Sequence, residues 1–230
     1  MLATALSDDF NGVRMAAAVS LGEIGVEGAG APLITAYRMS KDSHVRRACA
    51  WALGNFKDEE TINVLGEALG GDESYYVAVA AARALANIGG DKPYDILRAS
   101  ISRTSWQEVI AASIFHGFAQ AKDKRAVELA INHSKYGERA PIRVAAIACL
   151  SALGKELSKE KKDDQVVDHL IDLLKDKAVR ARLGAVKALG KIGNKRALPP
   201  LREVQLRECL DMMKGALEDA IKSLEEKAPD

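Results

Sequence analysis

Chemistry in this chain would have to begin from four histidines, three cysteines and a recurring row of cations. A metal or acid–base site needs ligands that converge, as when two histidines one helical turn apart flank a glutamate, or when cysteines pair two residues apart. His44, His116, His133 and His169 stand in no such pattern, and none opens an HExxH. Cys49, Cys149 and Cys209 form no CxxC pair, so neither a zinc knuckle nor a secreted disulfide framework is expected. A reducing, cytoplasmic setting fits that usage. Cys49 and Cys149 occupy positions where equivalent segments carry alanine, which marks them as packing residues; Cys209 lies off the apolar stripe and could be reactive, but has no histidine near it in sequence. No metal, no cofactor and no catalytic residue is expected.

The elements that would position any site repeat. The segments VRMAAAVSLGEIG (13–25), VRRACAWALGNF (45–56), VAVAAARALANIG (77–89), IRVAAIACLSALG (142–154) and ARLGAVKALGKIG (181–193) align without gaps. With two weaker copies, the bulky anchor recurs as Leu21, Leu53, Leu85, Phe118, Leu150, Leu189 and Ile221, at intervals of 32, 32, 33, 32, 39 and 32 residues. Counting each segment from its first residue i, apolar side chains fall at i, i+3, i+4, i+7, i+8 and i+11, the stripe of an amphipathic helix. The i+3 and i+7 columns stay small (Ala16, Ala48, Ala80 and Ser20, Ala52, Ala84 in the first three copies), which lets a partner helix approach closely. Each such helix B follows a second apolar stretch, helix A, at 32–39, 61–69, 94–101, 126–133, 166–174 and 197–204, across a short turn bearing Asp, Gly or Ser.

A helical hairpin of this size cannot bury its own apolar face, so neighbours must stack. The expected fold is therefore all-α: a right-handed α-solenoid of about seven hairpins in one domain, 1–230, with units at 1–25, 31–56, 60–89, 92–121, 124–154, 164–193 and 196–226. The 39-residue interval places a charged insertion, KELSKEKKDD (155–164), read as a solvated loop or helix extension. The first unit has only 1–6 in place of a full helix A, an abrupt start that leaves either a short first helix or a piece of a larger protein as the reading; the last helix, with Glu218, Lys222, Glu225, Glu226 and Lys227 before Pro229, has a polar outer side.

Composition agrees. At 48% hydrophobic and 28% charged residues the chain is too apolar for disorder, and at 5% aromatic it is poor in the rings that fill most β-sandwiches. A net charge of +1 removes the main electrostatic argument for nucleic acid or an anionic membrane, although residues 1–115 carry −4 and 116–230 carry +5. No run approaches the roughly 20 apolar residues of a membrane span.

Basic residues recur at i+1 as Arg14, Arg46, Arg143, Arg182 and Lys214; a row of cations could track phosphates, but the column breaks at Ala78 and Ala111, and a structural role bonding turn acids such as Asp42 accounts for it better. The i+2, i+5 and i+9 positions, Val79 among them, are mostly apolar or small, as if neighbouring B helices touch on both sides. One stripe remains free: i+6 and i+10, four residues apart on one face. With B helices lining the concave side of a solenoid, this stripe is the expected groove for a protein or peptide, with Trp51 as aromatic anchor, Asn55, Asn87 and Gln120 reading polar groups, Arg83 and Lys187 meeting acids, and Glu23, His116 and Lys191 completing the face.

The succession of helix A, an Asp-bearing turn, Val-Arg, Ala-Ala and Leu-Gly-x-Ile-Gly resembles the HEAT repeat over nearly the whole chain, particularly the short form found in phycobilisome-lyase-like proteins. The segments FNGVRMAAAVSLGEIG (10–25), ERAPIRVAAIACLSALG (138–154) and AVRARLGAVKALGKIGNKRALPPL (178–201) are also similar to the carboxy-terminal HEAT region of prokaryotic zinc aminopeptidases of the aminopeptidase N family. HExxH and GAMEN are absent, so that resemblance implies a non-catalytic tail following a catalytic domain. Deoxyhypusine hydroxylase, another HEAT-repeat enzyme, uses His-Glu dipeptides for its irons, and this sequence has none. The enzymatic or nucleic-acid alternative is a bilin lyase or DNA glycosylase type, which would need His, Asp, Trp and Arg clustered on the concave side.

Overall fold

The computed structural model describes residues 1–208 and 210–226. Every regular element among them is helical, and the helices pair in chain order: α1 (Leu2–Ala5) with α2 (Asn11–Ile24), α3 (Gly30–Met39) with α4 (Ser43–Leu53), α5 (Glu59–Gly71) with α6 (Tyr75–Ile88), α7 (Asp91–Ser100) with α8 (Val109–Ala121), α9 (Ala126–Ser134) with α10 (Ala140–Ser158), α11 (Asp164–Leu173) with α12 (Val179–Ile192), and α13 (Leu198–Arg207) with α14 (Asp211–Glu225). Seven A–B hairpins thus stand where the repeat places them. The chain clusters into two compact bodies, Met1–Gly117 and Phe118–Asp230. Cys209, Lys227 and Pro229, singled out in the sequence, lie outside the described residues.

In the first body the stripe residues are the core. Val45, Cys49, Ala52 and Leu53 of α4 and Val77, Ala81 and Leu85 of α6 are buried, as their spacing requires. The small columns explain how the B helices pack side by side. A Cβ added at Gly22 would lie 2.7 Å from Ala52 Cα, and one at Gly54 would lie 3.0 Å from Ala84 Cα; the i+9 residue of one repeat meets the i+7 residue of the next. At the following step the pair is inverted, with Gly117 against the Ala86 methyl. In the second body Gly190 approaches Ala220 in the same register, its added Cβ 2.9 Å from the Cα. Backbones this close leave no room for larger side chains.

The turns are held by the i+1 cations. Arg46 Nε and Nη2 donate to the two Asp72 carboxylate oxygens at 2.8 and 2.9 Å, and Nη1 donates to the Ser40 and Lys41 carbonyls. Tyr37 adds its hydroxyl to Asp72 at 3.2 Å. Burial pushes the Asp72 carboxyl up, but the Arg46 hydrogen bond and charge and the Ser74 amide outweigh it, so the group titrates below its usual range. In the second body Arg143 donates from Nη2 to Asp176 at 2.5 Å and from Nε to the Ser134 carbonyl at 2.9 Å, and its guanidinium lies over the Tyr136 ring. Arg182 reaches the Asp176 carbonyl at 3.0 Å and lies 3.6 Å from Glu208. Arg14 bonds Asn11, which bonds Asp42, so the turn acid is reached through an amide. The cation row is a structural ladder.

The charged insertion is half helix and half turn. Its first residues extend α10 to Ser158, and a turn with Lys161 at φ 55° delivers the chain to α11. Glu156 pairs with Lys122 at 3.2 Å and Lys159 at 2.9 Å, while Asp163 is buried and accepts from Asn194 Nδ2 at 3.0 Å.

Candidate functional site

Within Met1–Gly117 the B helices α2, α4, α6 and α8 enclose a groove of about 1160 Å³. Its residues come from recurring positions of the repeat. The i+2 column supplies Met15, Arg47, Val79 and Ala112, and the i+6 column supplies Val19, Trp51, Arg83 and His116. Ala48, Ala80 and Ser113 from the i+3 column form the small-residue floor. Tyr75, Tyr76 and Val109 enter from helix starts, and Trp106 enters from the 3₁₀ turn Trp106–Glu108 that leads into α8.

Three features set the chemistry of this groove. Its aromatic rings are presented to solvent, with Trp51 46%, Tyr76 73% and Trp106 67% exposed. Exposed rings gathered in one concavity mark binding surfaces far more often than scattered ones do. The groove contains two guanidinium groups and an imidazole but no acid: Arg47, Arg83 and His116 line it, and no Asp or Glu does. Among the described residues neither arginine pairs with an acid, in contrast to the neighbouring Arg46. The Ser113 hydroxyl, on the floor, is buried with no partner among the described residues.

Of the residues expected from sequence, Trp51, Arg83 and His116 line this groove together. Asn55 and Asn87 do not line it, and their expected role as readers of a ligand is corrected. Asn55 Nδ2 donates to the Gly22 carbonyl and Asn87 Nδ2 to the Gly54 carbonyl, each at 2.9 Å, capping the end of the preceding B helix where the last carbonyls have no intrahelical partner. Ser223 does the same for Gly190 at 3.3 Å in the second body. At Asn55, Asn87 and Ser223 the i+10 position is therefore a repeat-to-repeat tie. Glu23 is exposed and outside the groove; Gln120, Lys187 and Lys191 are exposed on helices of the second body. Val79, which the i+2 reading places between neighbouring B helices, is half-buried and also lines the groove.

Tyr75, Tyr76 and Trp106 lie outside the helix B columns, and Arg47 lies in the i+2 column, which periodicity assigns to packing, so the sequence reading missed all four. The signal was available elsewhere: in a chain with two tryptophans, both lie between residues 51 and 106, beside an adjacent tyrosine pair that other repeats lack at that position.

Other titratable groups are committed to structure. Burial pushes the Cys49 thiol up to about 12, and burial with the Asp123 charge does the same for Cys149, the opposite of an activated nucleophile. Ser134 Oγ lies 2.7 Å from His169 Nε2, the spacing of a hydroxyl–imidazole dyad. Its own proton goes to the Ile131 carbonyl at 2.8 Å, so the histidine nitrogen is the donor to it. Burial, opposed by the Asp172 charge and helped by Lys135, keeps His169 below its ordinary range. Among the described residues no three His, Cys, Asp or Glu side chains gather to hold a metal, and no helix is long and apolar enough to cross a membrane.

A family model of HEAT repeats matches residues 1–53, 30–116 and 138–222. Comparison with curated proteins gives no match. Among solved structures, the complex of CpcE and CpcF of phycocyanin lyase from Nostoc sp. PCC7120 is similar at 18% identity and a TM-score of 0.54, over 97% of this chain and 93% of that one. The YibA protein of Escherichia coli is similar at 17% identity and a TM-score of 0.53, over 98% and 92%. An engineered protein is similar at 21% identity and a TM-score of 0.50, over 99% and 68%. These likenesses concern the fold.

Proposed function

This chain belongs to the HEAT-repeat family, and we propose that it acts as a non-catalytic protein- or peptide-interaction module, working in the cytoplasm through the groove formed by the B helices of its first body. The observation that carries this reading is the gathering of exposed Trp51, Tyr76 and Trp106 with unpaired Arg47 and Arg83 in one acid-free concavity. A lyase or glycosylase would ask for an acid among the His, Trp and Arg, and the groove holds none. A place as the tail of a larger aminopeptidase-like chain belongs to the same proposal; it rests on the three similar segments and finds no counterpart in the family model or the structures named above.

The test is selection of a displayed random-peptide library on the full chain, with subtraction against Trp51→Ala/Tyr76→Ala. Both rings are solvent-exposed, so the double variant keeps its fold, checked by circular dichroism. Peptides retained by the unaltered chain and lost on the variant support the groove. A library that yields nothing, or peptides held equally by both proteins, removes it.

A further inference from the structure

We infer that the groove's partner is an extended acidic peptide carrying a large apolar side chain between two carboxylates about three residues apart; this rests on the interaction reading above. Its charge pattern follows from the groove. Arg47 comes from α4 and Arg83 from α6, so the two cations stand on successive B helices. Packed helices lie about 8–10 Å apart, and an extended chain advances about 3.3 Å per residue, so one step between helices corresponds to about three peptide residues. Trp51, Tyr76, Val79 and Ala80 line the same groove and offer an apolar bed for the intervening side chain.

The cations are available because the fold does not use them. Arg46 and Arg103 spend their donors on Asp72 and on turn carbonyls, whereas Arg47 and Arg83 have no acid or carbonyl to serve among the described residues. A neutral or basic peptide would leave two guanidinium groups facing an apolar occupant, and partial desolvation of an unpaired charge opposes binding. Carboxylates reverse that balance, and Arg presents the fork that holds them with two parallel hydrogen bonds.

Aromatic rings with cations also describe a platform for single-stranded nucleic acid. Charge over the wider surface favours the peptide. Residues 1–117 hold ten Lys and Arg against fourteen Asp and Glu, a net charge of −4. A polyanion with a charge on every nucleotide meets that field along its whole length, while a peptide with two carboxylates meets only the local cations.

The experiment uses the peptides enriched by the groove-dependent selection, and then synthetic versions of one of them with Glu, Gln or Lys at the charged positions, titrated into the full chain. Trp51 and Trp106 are the chain's two tryptophans and both line the groove, so intrinsic fluorescence reports its occupancy directly. The acidic peptide should bind at least about tenfold more tightly than the Gln version, and Arg47→Gln/Arg83→Gln should erase that preference and the salt dependence of binding. Both arginines are outside the core, and an unchanged melting temperature in the double variant separates lost binding from lost folding. Groove-dependent peptides that are neutral or basic, or Gln and Glu versions of equal affinity, overturn the acidic partner and leave the interaction reading standing. An oligothymidylate that quenches the tryptophans more tightly than any peptide overturns it in favour of a nucleic acid. No groove-dependent peptide at all removes both readings.

Discussion

Arg46 and Arg47 are adjacent in sequence, sit on the same helix and do opposite things. Arg46 turns towards the loop, where it grips Asp72 with both ends of its fork and is itself largely covered. Arg47 lines the groove, is exposed, and pairs with nothing among the described residues. One helical position, about 100° of rotation, separates the region that holds the repeats together from the region left free to meet something else. The difference teaches that a residue type at a repeat position means little until its direction is known: the ladder is made of charges that find partners within the chain, and the groove of charges that do not.

The comparison can be broken at its strongest point first. Arg46→Ala leaves the Asp72 carboxylate buried without its counter-charge and should lower unfolding stability by about 3 kcal/mol in urea denaturation. It should also change the acid limb. Because the folded Asp72 titrates below the ordinary carboxylate value of about 4, its contribution is complete above that pH and is lost as pH falls through the depressed value. Removing Arg46 raises the folded pKa, so the variant should lose that part of its acid dependence; a variant with the unaltered acid profile would take the ladder out of this account. A smaller effect is expected at Asn55→Ala, which deletes the bond to the Gly22 carbonyl and should cost about 1 kcal/mol without changing peptide binding. Lost binding with unchanged stability would return Asn55 to the site. Least of all, Arg47→Ala should move stability by under about 0.5 kcal/mol while weakening an acidic peptide, the reverse of its neighbour.

The hairpins were legible because a helix announces itself through spacing, and a repeat announces itself many times. The i, i+3, i+4, i+7 stripe located Val45, Cys49 and Leu53 in the core, and the small columns foretold the close approach of Gly54 to Ala84. The site was half legible. Trp51, Arg83 and His116 share a column, so periodicity found them; Tyr75, Tyr76 and Trp106 break the pattern and enter from helix starts and a turn. Asn55 and Asn87 were misplaced for the opposite reason, since a polar residue recurring on a free face looks alike whether it serves a ligand or a neighbouring carbonyl.

What the sequence determined by itself was the all-helical class, the seven hairpins, the buried stripe and the small columns, because each follows from local periodicity and from side-chain size. Only the tertiary structure decided which cations are spent and which are free, which amides cap a neighbouring repeat, and that rings scattered over 55 residues of chain meet in one groove. Those outcomes depend on how far the side chains of one repeat reach across to the next, a distance set by helix packing that no column of residues records.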